Sequence, residues 1–170
     1  MDKLDDSVET LPGVKESRRA LNFESGCRQV GLVLLLIIVI SAVLGFFSDG
    51  YFSSAQKTNS VRTLNVDYER FGRLQMEFKY HFKIHSPDTD NYTLSLGGAF
   101  TEDFQPGNIS PQPDKMYSQG ERLYLVYENV KTKGDFSVWM YATPTRPGKL
   151  VTAVQVNNEP ELHFWQFIYP

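Results

Sequence analysis

Residues 74–84 indicate the fold class, and they read Leu-Gln-Met-Glu-Phe-Lys-Tyr-His-Phe-Lys-Ile. Apolar and polar residues alternate without a fault, so the period is two and not the 3.6 residues of a helix. The alternation places on one face the side chains of Leu74, Met76, Phe78, Tyr80, Phe82 and Ile84. One apolar face and one polar face are typical of a strand in an antiparallel sheet.

Similar segments on both sides of this stretch predict six further strands. They are residues 61–68, 92–96, 122–130, 136–143, 150–156 and 162–168. Turn-rich segments separate them, and residues 105–113 are expected to form a loop because they contain three prolines. About seven short strands without a convincing helix predict a mainly β domain over residues 61–170, an antiparallel β-sandwich of immunoglobulin-like architecture.

Residues 30–47, VGLVLLLIIVISAVLGFF, carry no charge. As a helix with a rise of about 1.5 Å per residue they span roughly 27 Å, close to the thickness of the hydrocarbon core of a bilayer. The sequence therefore predicts one retained transmembrane helix. A buried core helix is disfavoured by the length of the uncharged run. A cleaved signal peptide, for which Ser53 and Ala55 offer a small-x-small pair, is disfavoured because its apolar core is usually shorter.

The basic residues near the two ends of this segment predict its orientation. Four precede it and two follow it: Lys15, Arg18, Arg19 and Arg28 against Lys57 and Arg62. This bias favours a cytoplasmic N-terminus. Residues 1–29 would then form a polar cytoplasmic tail, residues 48–60 a short linker, and the β domain would be extracytoplasmic. The expected location is the cell membrane, with a single pass.

Composition and motifs argue against most chemical functions. The net charge of -3 does not suit a nucleic-acid binder, and a single cysteine excludes a disulfide framework. The sequence has no P-loop, GxSxG, HExxH or glycine-rich dinucleotide turn. His81 and His85 would lie about 13 Å apart on a strand, too far to chelate one metal ion. We therefore expect no enzymatic activity, no cofactor and no metal.

The C-terminal residues 162–170, Leu-His-Phe-Trp-Gln-Phe-Ile-Tyr-Pro, are aromatic almost to the last position. Chain ends are usually polar and frayed unless they are held by the fold, so a final strand is expected. Alternation buries one of two sets, either Phe164, Gln166 and Ile168 or Trp165, Phe167 and Tyr169. The other set needs a cover, either within the domain or from a partner protein or the membrane surface.

Four segments resemble a family of uncharacterised bacterial single-pass membrane proteins. They are Gly45-Phe-Phe-Ser-Asp-Gly50 with the following Tyr-Phe-Ser-Ser-Ala55, Val66-x-Tyr68-x-Arg70-Phe71-x-Arg73, Ile109-Ser-Pro-Gln-Pro113, and Phe164-Trp-Gln-Phe-Ile-Tyr-Pro170. The resemblance covers about residues 28–170, although similar proteins usually have Arg in place of Trp165. It implies an anchored extracytoplasmic β domain with an aromatic Phe-x-Gln-Phe-x-Tyr-Pro tail, no established activity, and a YetF-like polytopic membrane protein as partner.

The function predicted from these features is that of a membrane-anchored, non-enzymatic accessory protein of the bacterial envelope that contacts another membrane protein. The candidate contact residues are arginines and aromatics, types that dominate interface energetics. They are Tyr68, Arg70, Phe71, Arg73, Trp165, Phe167 and Tyr169. On this hypothesis, removal of residues 163–170 abolishes partner binding.

Two alternatives stay open at the level of sequence. An envelope glycan- or polymer-binding module would use Trp139, Tyr141 or Trp165 as stacking platforms. An envelope enzyme would use carboxylates drawn from Glu102, Asp103 and Asp135, and it would need two of them in one cleft.

Overall fold

A computed structural model describes residues 18–43, 53–85, 89–130 and 134–170. The chain forms two units, an N-terminal helix and a β domain. Helix α1 spans Arg18–Val43, so it includes residues 18–29 of the predicted tail. Residues 1–17 of that tail and residues 44–47 of the predicted span lie outside the described residues.

Among the described residues, α1 is the one helix long and apolar enough to cross a membrane, over Phe23–Val43. Its large apolar side chains between positions 30 and 40 are 48–68% exposed. Because apolar surface surrounds the helix on every side, it lacks the single buried stripe of a soluble amphipathic helix, as expected for a membrane span. Signal sequences can share this length and composition.

The described part of the β domain contains eleven strands and one short helix. The strands are β1 Ser54–Thr58, β2 Leu64–Glu69, β3 Phe71–Arg73, β4 Phe78–Ile84, β5 Tyr92–Gly98, β6 Phe104–Ser110, β7 Lys115–Gln119, β8 Arg122–Tyr127, β9 Phe136–Pro144, β10 Gly148–Val156 and β11 Leu162–Tyr169. Helix α2, Ala99–Asp103, joins β5 to β6.

The strands form two sheets that pack face to face, which confirms the predicted β-sandwich. The five-stranded sheet has the order β1-β2-β4-β9-β6, and the six-stranded sheet has the order β3-β11-β10-β5-β8-β7. Rings from the two sheets meet in the core: the centroids of Tyr68 and Phe164 are 4.3 Å apart, and those of Tyr92 and Phe136 are 5.1 Å apart. The pairs are antiparallel except β3 with β11.

A buried hydrogen-bond chain also links the sheets. The hydroxyl of Tyr80, on β4, donates to Oε1 of Gln166, on β11, over 2.8 Å. The side-chain amide of Gln166 donates to the backbone carbonyl of Glu69 over 2.8 Å. Burial raises the pKa of Tyr80 far above its usual value, so the phenol stays protonated and acts as the donor. The side chains of Tyr80 and Gln166 are thereby satisfied.

The strand predicted over residues 74–84 is shorter than expected. Strand β4 begins only at Phe78, because residues 74–76 form a turn between β3 and β4. Gln75 has a positive φ of 63°, and Met76 is 61% exposed. Leu74 and Met76 therefore do not belong to the apolar face of this strand, although the alternation continues through them.

Two segments predicted to lack regular structure contain strands. The proline-rich segment 105–113 overlaps β6, and β6 lies at the edge of its sheet. A proline is tolerated on an edge strand because no neighbour requires its missing N–H. The predicted linker 48–60 contains β1, which pairs with β2 from Ser54 opposite Glu69 to Thr58 opposite Asn65. The β domain therefore begins earlier than residue 61.

Candidate functional site

The structure shows which aromatic set of the C-terminal strand faces outward. Phe164, Gln166 and Ile168 are buried in the core. Trp165 and Phe167 are each 37% exposed, and Tyr169 is half-buried. The outward set therefore lies on the outer face of the six-stranded sheet.

Strand β3 adds a fourth ring to this face. Phe71 lies opposite Phe167 in the parallel register of β3 and β11. The Phe71 centroid is 5.8 Å from that of Trp165 in an edge-to-face arrangement, and the Phe167 and Tyr169 centroids are 5.2 Å apart. These separations are those of interacting aromatic pairs. We call the group Phe71, Trp165, Phe167 and Tyr169 the aromatic surface.

A strand crossing between the sheets brings Phe71 to this position. The chain leaves the five-stranded sheet at Glu69 and enters the six-stranded sheet at Phe71. At the corner, the backbone N–H of Phe167 donates to the carbonyl of Arg70 over 2.7 Å. A Cβ atom at Gly72 would lie 2.3 Å from Cζ of Phe78, so only glycine fits over this ring without displacing it.

Basic side chains border the aromatic surface. Lys149 lies opposite Phe167 in the register of β10 and β11, and its Nζ is 5.6 Å from the centroid of the Trp165 ring. Arg73, opposite Tyr169 on β3, and Arg70 at the corner are exposed. The structure therefore brings together six of the seven predicted contact residues at one end of the sheet.

Tyr68 is the exception, and its prediction as a contact residue is corrected. It is 6% exposed, and its ring packs on Phe164 inside the sandwich. The alternation of β2 points this ring inward. The Tyr68 ring therefore supports β11 from inside the core.

The outer face of the five-stranded sheet carries a different feature, a cavity of about 340 Å³. Its accessible surface is mainly apolar, but polar and charged residues surround it, and we call it the polar cavity. A row of four side chains crosses its floor in register: Gln56 opposite Asp67, Asp67 opposite His81, and His81 opposite Trp139. The His81 and Trp139 rings stack at 3.6 Å with an interplanar angle of 7°. Sequence reasoning identified Trp139 as a stacking candidate, but it did not find this row, because the four residues come from four separate strands.

The surroundings of His81 favour its neutral form over the charged one. Burial lowers its pKa and the nearby Lys83 ammonium lowers it further, while Asp67 acts in the opposite direction. Nδ1 of His81 lies 3.3 Å from Oδ2 of Asp67, and the same oxygen is 2.9 Å from Nζ of Lys83. Because Lys83 already neutralises Asp67, the carboxylate does not compensate for the burial of a charged imidazole.

This environment predicts an acid-sensitive stability contribution from His81. The folded-state pKa lies below the unfolded value of about 6.5, so the unfolded state binds more protons as the pH falls through that value. Stability is therefore expected to be full above about pH 6.5 and to decline below it. His81→Phe should flatten the decline just below pH 6.5 in thermal unfolding curves. The control is His163→Phe, at an exposed position, and an unchanged profile in His81→Phe would contradict the assignment.

The three carboxylates of the enzyme alternative do not come together in one cleft. Asp135 immediately precedes β9, and its side chain pairs with His85. The backbone carbonyl of Asp103 accepts from the N–H of Thr145, just after β9. Asp103 and Asp135 therefore lie at opposite ends of that strand, roughly 30 Å apart. Glu102 is exposed beside Asp103 on α2, so it too is remote from Asp135.

In the part of the chain that the structure describes, no group of three or more His, Cys, Asp or Glu side chains could hold a metal ion. The remaining stacking candidate of the glycan alternative, Tyr141, is half-buried on β9. It lies opposite Lys79 of β4, at the border of the polar cavity.

No protein-family model and no curated protein matches this sequence. Among solved structures, the chain is similar to the C-terminal domain of the Streptococcus agalactiae AgI/II polypeptide BspA, with 9% identity, a TM-score of 0.44, and coverage of 59% of this chain and 44% of that one. It is also similar to CaCohA2 from Clostridium acetobutylicum (10% identity, TM-score 0.36, coverage 63% and 83%). A third similarity is to the human F-spondin reeler domain, with 11% identity, a TM-score of 0.32, and coverage of 74% of this chain and 87% of that one. The chain matches less than half the length of the BspA domain, and these similarities are too distant to indicate a ligand.

Proposed function

We propose that this protein is a single-pass membrane protein of the bacterial envelope whose β-sandwich is a non-enzymatic interaction module. In this proposal the N-terminus is cytoplasmic and the sandwich is extracytoplasmic. The aromatic surface binds another membrane protein, and a YetF-like polytopic protein is the expected class of partner. The aromatic surface is the observation that carries the proposal.

The composition of this surface supports a protein contact. Single exposed apolar residues are common on soluble domains, whereas a contiguous apolar patch marks an interaction site. Four aromatic rings lie together here, and the exposed Val151 lies opposite Trp165 in the neighbouring strand. Tryptophan, tyrosine and arginine are the types most enriched among residues that dominate binding energy. The bordering Lys149, Arg70 and Arg73 favour a partner with acidic or carbonyl-rich surface.

The anchor supports a partner in the same membrane. A tethered domain meets a membrane neighbour at an effective concentration set by its linker, which strengthens a weak contact without new interactions. A modest patch of four rings then suffices for binding. The orientation rests on the excess of basic residues on the N-terminal side of the helix, including Arg18, Arg19 and Arg28.

Site-specific photocrosslinking in native membranes tests the proposal. A photoreactive amino acid at Phe167 should crosslink to one polytopic membrane protein in near-stoichiometric yield. The same amino acid at Ser137, on the other sheet, should not. Trp165→Ser combined with Phe167→Ser should reduce co-purification of that protein by about tenfold or more, since each lost anchor costs about 1–2 kcal/mol.

The controls separate loss of contact from loss of fold. Both substituted positions face outward, so the double variant should keep a cooperative thermal transition, lowered only by the ring contacts that it loses on the sheet surface. Equal crosslinking from positions 167 and 137 would contradict a specific surface. Crosslinks from position 167 to lipid alone would show that the aromatic surface rests on the bilayer, and would overturn the protein-partner proposal.

A further inference from the structure

The polar cavity lies on the outer face of the five-stranded sheet, away from the aromatic surface, and the proposed partner contact does not use it. Its volume of about 340 Å³ lies at the lower end of the range for small-molecule sites. The row from Gln56 to Trp139 crosses four adjacent strands and therefore extends about 14 Å. A cavity of this length can accept an extended polar ligand.

The two sides of the cavity differ in chemistry. On one side, the rings of His81 and Trp139, which overlap face to face, form a wall, and Nζ of Lys79 lies 4.3 Å from the Trp139 centroid. On the other side, β1 and β2 present the exposed amide of Gln56 and the carboxylates of Asp67 and Glu69. The ring wall is fixed in place by its own stacking, so it needs no rearrangement to serve as a contact surface.

The charges of the cavity are balanced. Asp67 is paired with Lys83 over 2.9 Å, and Glu69 and Lys79 both line the cavity. An anionic ligand would meet two carboxylates, and a cationic ligand would meet two ammonium groups. A neutral ligand avoids repulsion from either set of charges.

The hydrogen-bonding groups of the cavity include donors and acceptors in close alternation. Gln56 offers both through its amide, the carboxylates accept, and Lys79 donates. Hydroxyl groups donate and accept at the same time, so a ligand rich in hydroxyls matches this arrangement best.

We propose that the polar cavity is a binding site for a neutral saccharide, with Gln56, Asp67 and Glu69 holding ligand hydroxyls against the wall formed by His81 and Trp139. Trp139 contributes its exposed portion, since His81 already occupies part of its ring face. The protein would then carry two separate recognition surfaces, one on each sheet. The saccharide site stands whether or not the aromatic surface binds a protein.

The two tryptophans of the chain permit a direct test. Trp165→Phe leaves Trp139 as the single indole fluorophore, and the full chain is studied in lipid nanodiscs because alkyl glycoside detergents would themselves present sugars. Chitotetraose, cellotetraose and maltotetraose are titrated separately. At least one should change the Trp139 emission saturably. Gln56→Ala in the same background should weaken binding of that oligosaccharide by about tenfold, the effect of a lost hydrogen-bonding side chain.

A matched control is available on the other sheet. Gln119 is exposed on the edge strand β7, as Gln56 is on the edge strand β1. Gln119→Ala should leave saccharide binding unchanged. The proposal is overturned if none of the three saccharides gives a saturable response, or if Gln56→Ala binds as tightly as its parent. It is also overturned if inorganic phosphate or tetramethylammonium saturates the signal and the saccharides do not.

Discussion

Deletion of residues 163–170 is expected to unfold the β domain, and not merely to remove a contact surface. Strand β11 lies between β3 and β10 in the six-stranded sheet, and it pairs with β10 at seven positions, from Leu162 to Ile168. Phe164 and Ile168 are buried in the core. Losing two such side chains costs about 4–10 kcal/mol, comparable with the whole stability of a typical domain.

Circular dichroism during heating provides the measurement. The full chain should melt cooperatively, whereas the chain that ends at residue 162 should show no cooperative transition. A chain that lacks only the exposed Pro170 is the control and should melt like the parent. If the shortened chain melted within a few degrees of the parent, the central position of β11 would be contradicted.

Truncation of the C-terminus would therefore not isolate the loss of a contact surface. From the sequence, removal of residues 163–170 was expected to report on partner binding. In the structure the same residues complete the sheet, so the truncated chain would lose binding because the β domain is unfolded. Substitutions at the outward positions of β11 separate the two effects, because alternation places Trp165 and Phe167 on the opposite face from the buried residues.

Strands with strict alternation could be predicted from the sequence, and strands at sheet edges could not. Residues 136–143 and 162–168 are predicted to within a residue or so, because most of their inward side chains are large and apolar. Strand β7 is exposed at every position, so it carries no alternation to detect. Strand β1 buries Ala55 alone among its five residues, and therefore its composition resembles that of a linker.

Hydrophobic alternation was misleading where backbone geometry interrupts it. Leu74 and Met76 continue the apolar pattern of β4 towards the N-terminus. They nevertheless lie in a turn, because Gln75 between them has a positive φ, and β4 begins only at Phe78. The tight turn is needed because the chain must return from β3, in one sheet, to β4, in the other. Nothing in the local sequence shows that two consecutive strands belong to different sheets.

The candidate surfaces were predictable only in part. The C-terminal alternation predicted that one set of rings would be left outward, but not which set. Strand register places Phe71 beside Phe167, whereas the alternation of β2 buries Tyr68, which lies only three residues earlier. The polar cavity depends on pairing between strands as distant in sequence as Gln56 and Trp139, and such pairing cannot be read from either segment alone.

Replacement of Gln166 by Met is expected to destabilise the β domain by about 2–4 kcal/mol, even though the apolar volume is nearly preserved. The amide of Gln166 accepts from the buried Tyr80 hydroxyl and donates to the partly buried Glu69 carbonyl. Methionine removes both hydrogen bonds: the lost bond to Glu69 costs about 1 kcal/mol, and the orphaned Tyr80 hydroxyl costs about 1–3 kcal/mol. Thermal unfolding should shift downward by about 10 °C or more. The control is Gln119→Met, at an exposed position, which should change stability little.

A double variant tests the mechanism, because the expected sign is unusual. Tyr80→Phe alone should destabilise the domain, since it leaves Oε1 of Gln166 without its donor. In the Gln166→Met background the same change removes an unsatisfied hydroxyl, so it should raise the unfolding temperature. Opposite effects of one substitution in two backgrounds require direct coupling between the residues. If Tyr80→Phe lowered stability equally in both, the two side chains would be independent, and the buried link between the sheets would not contribute as the structure indicates.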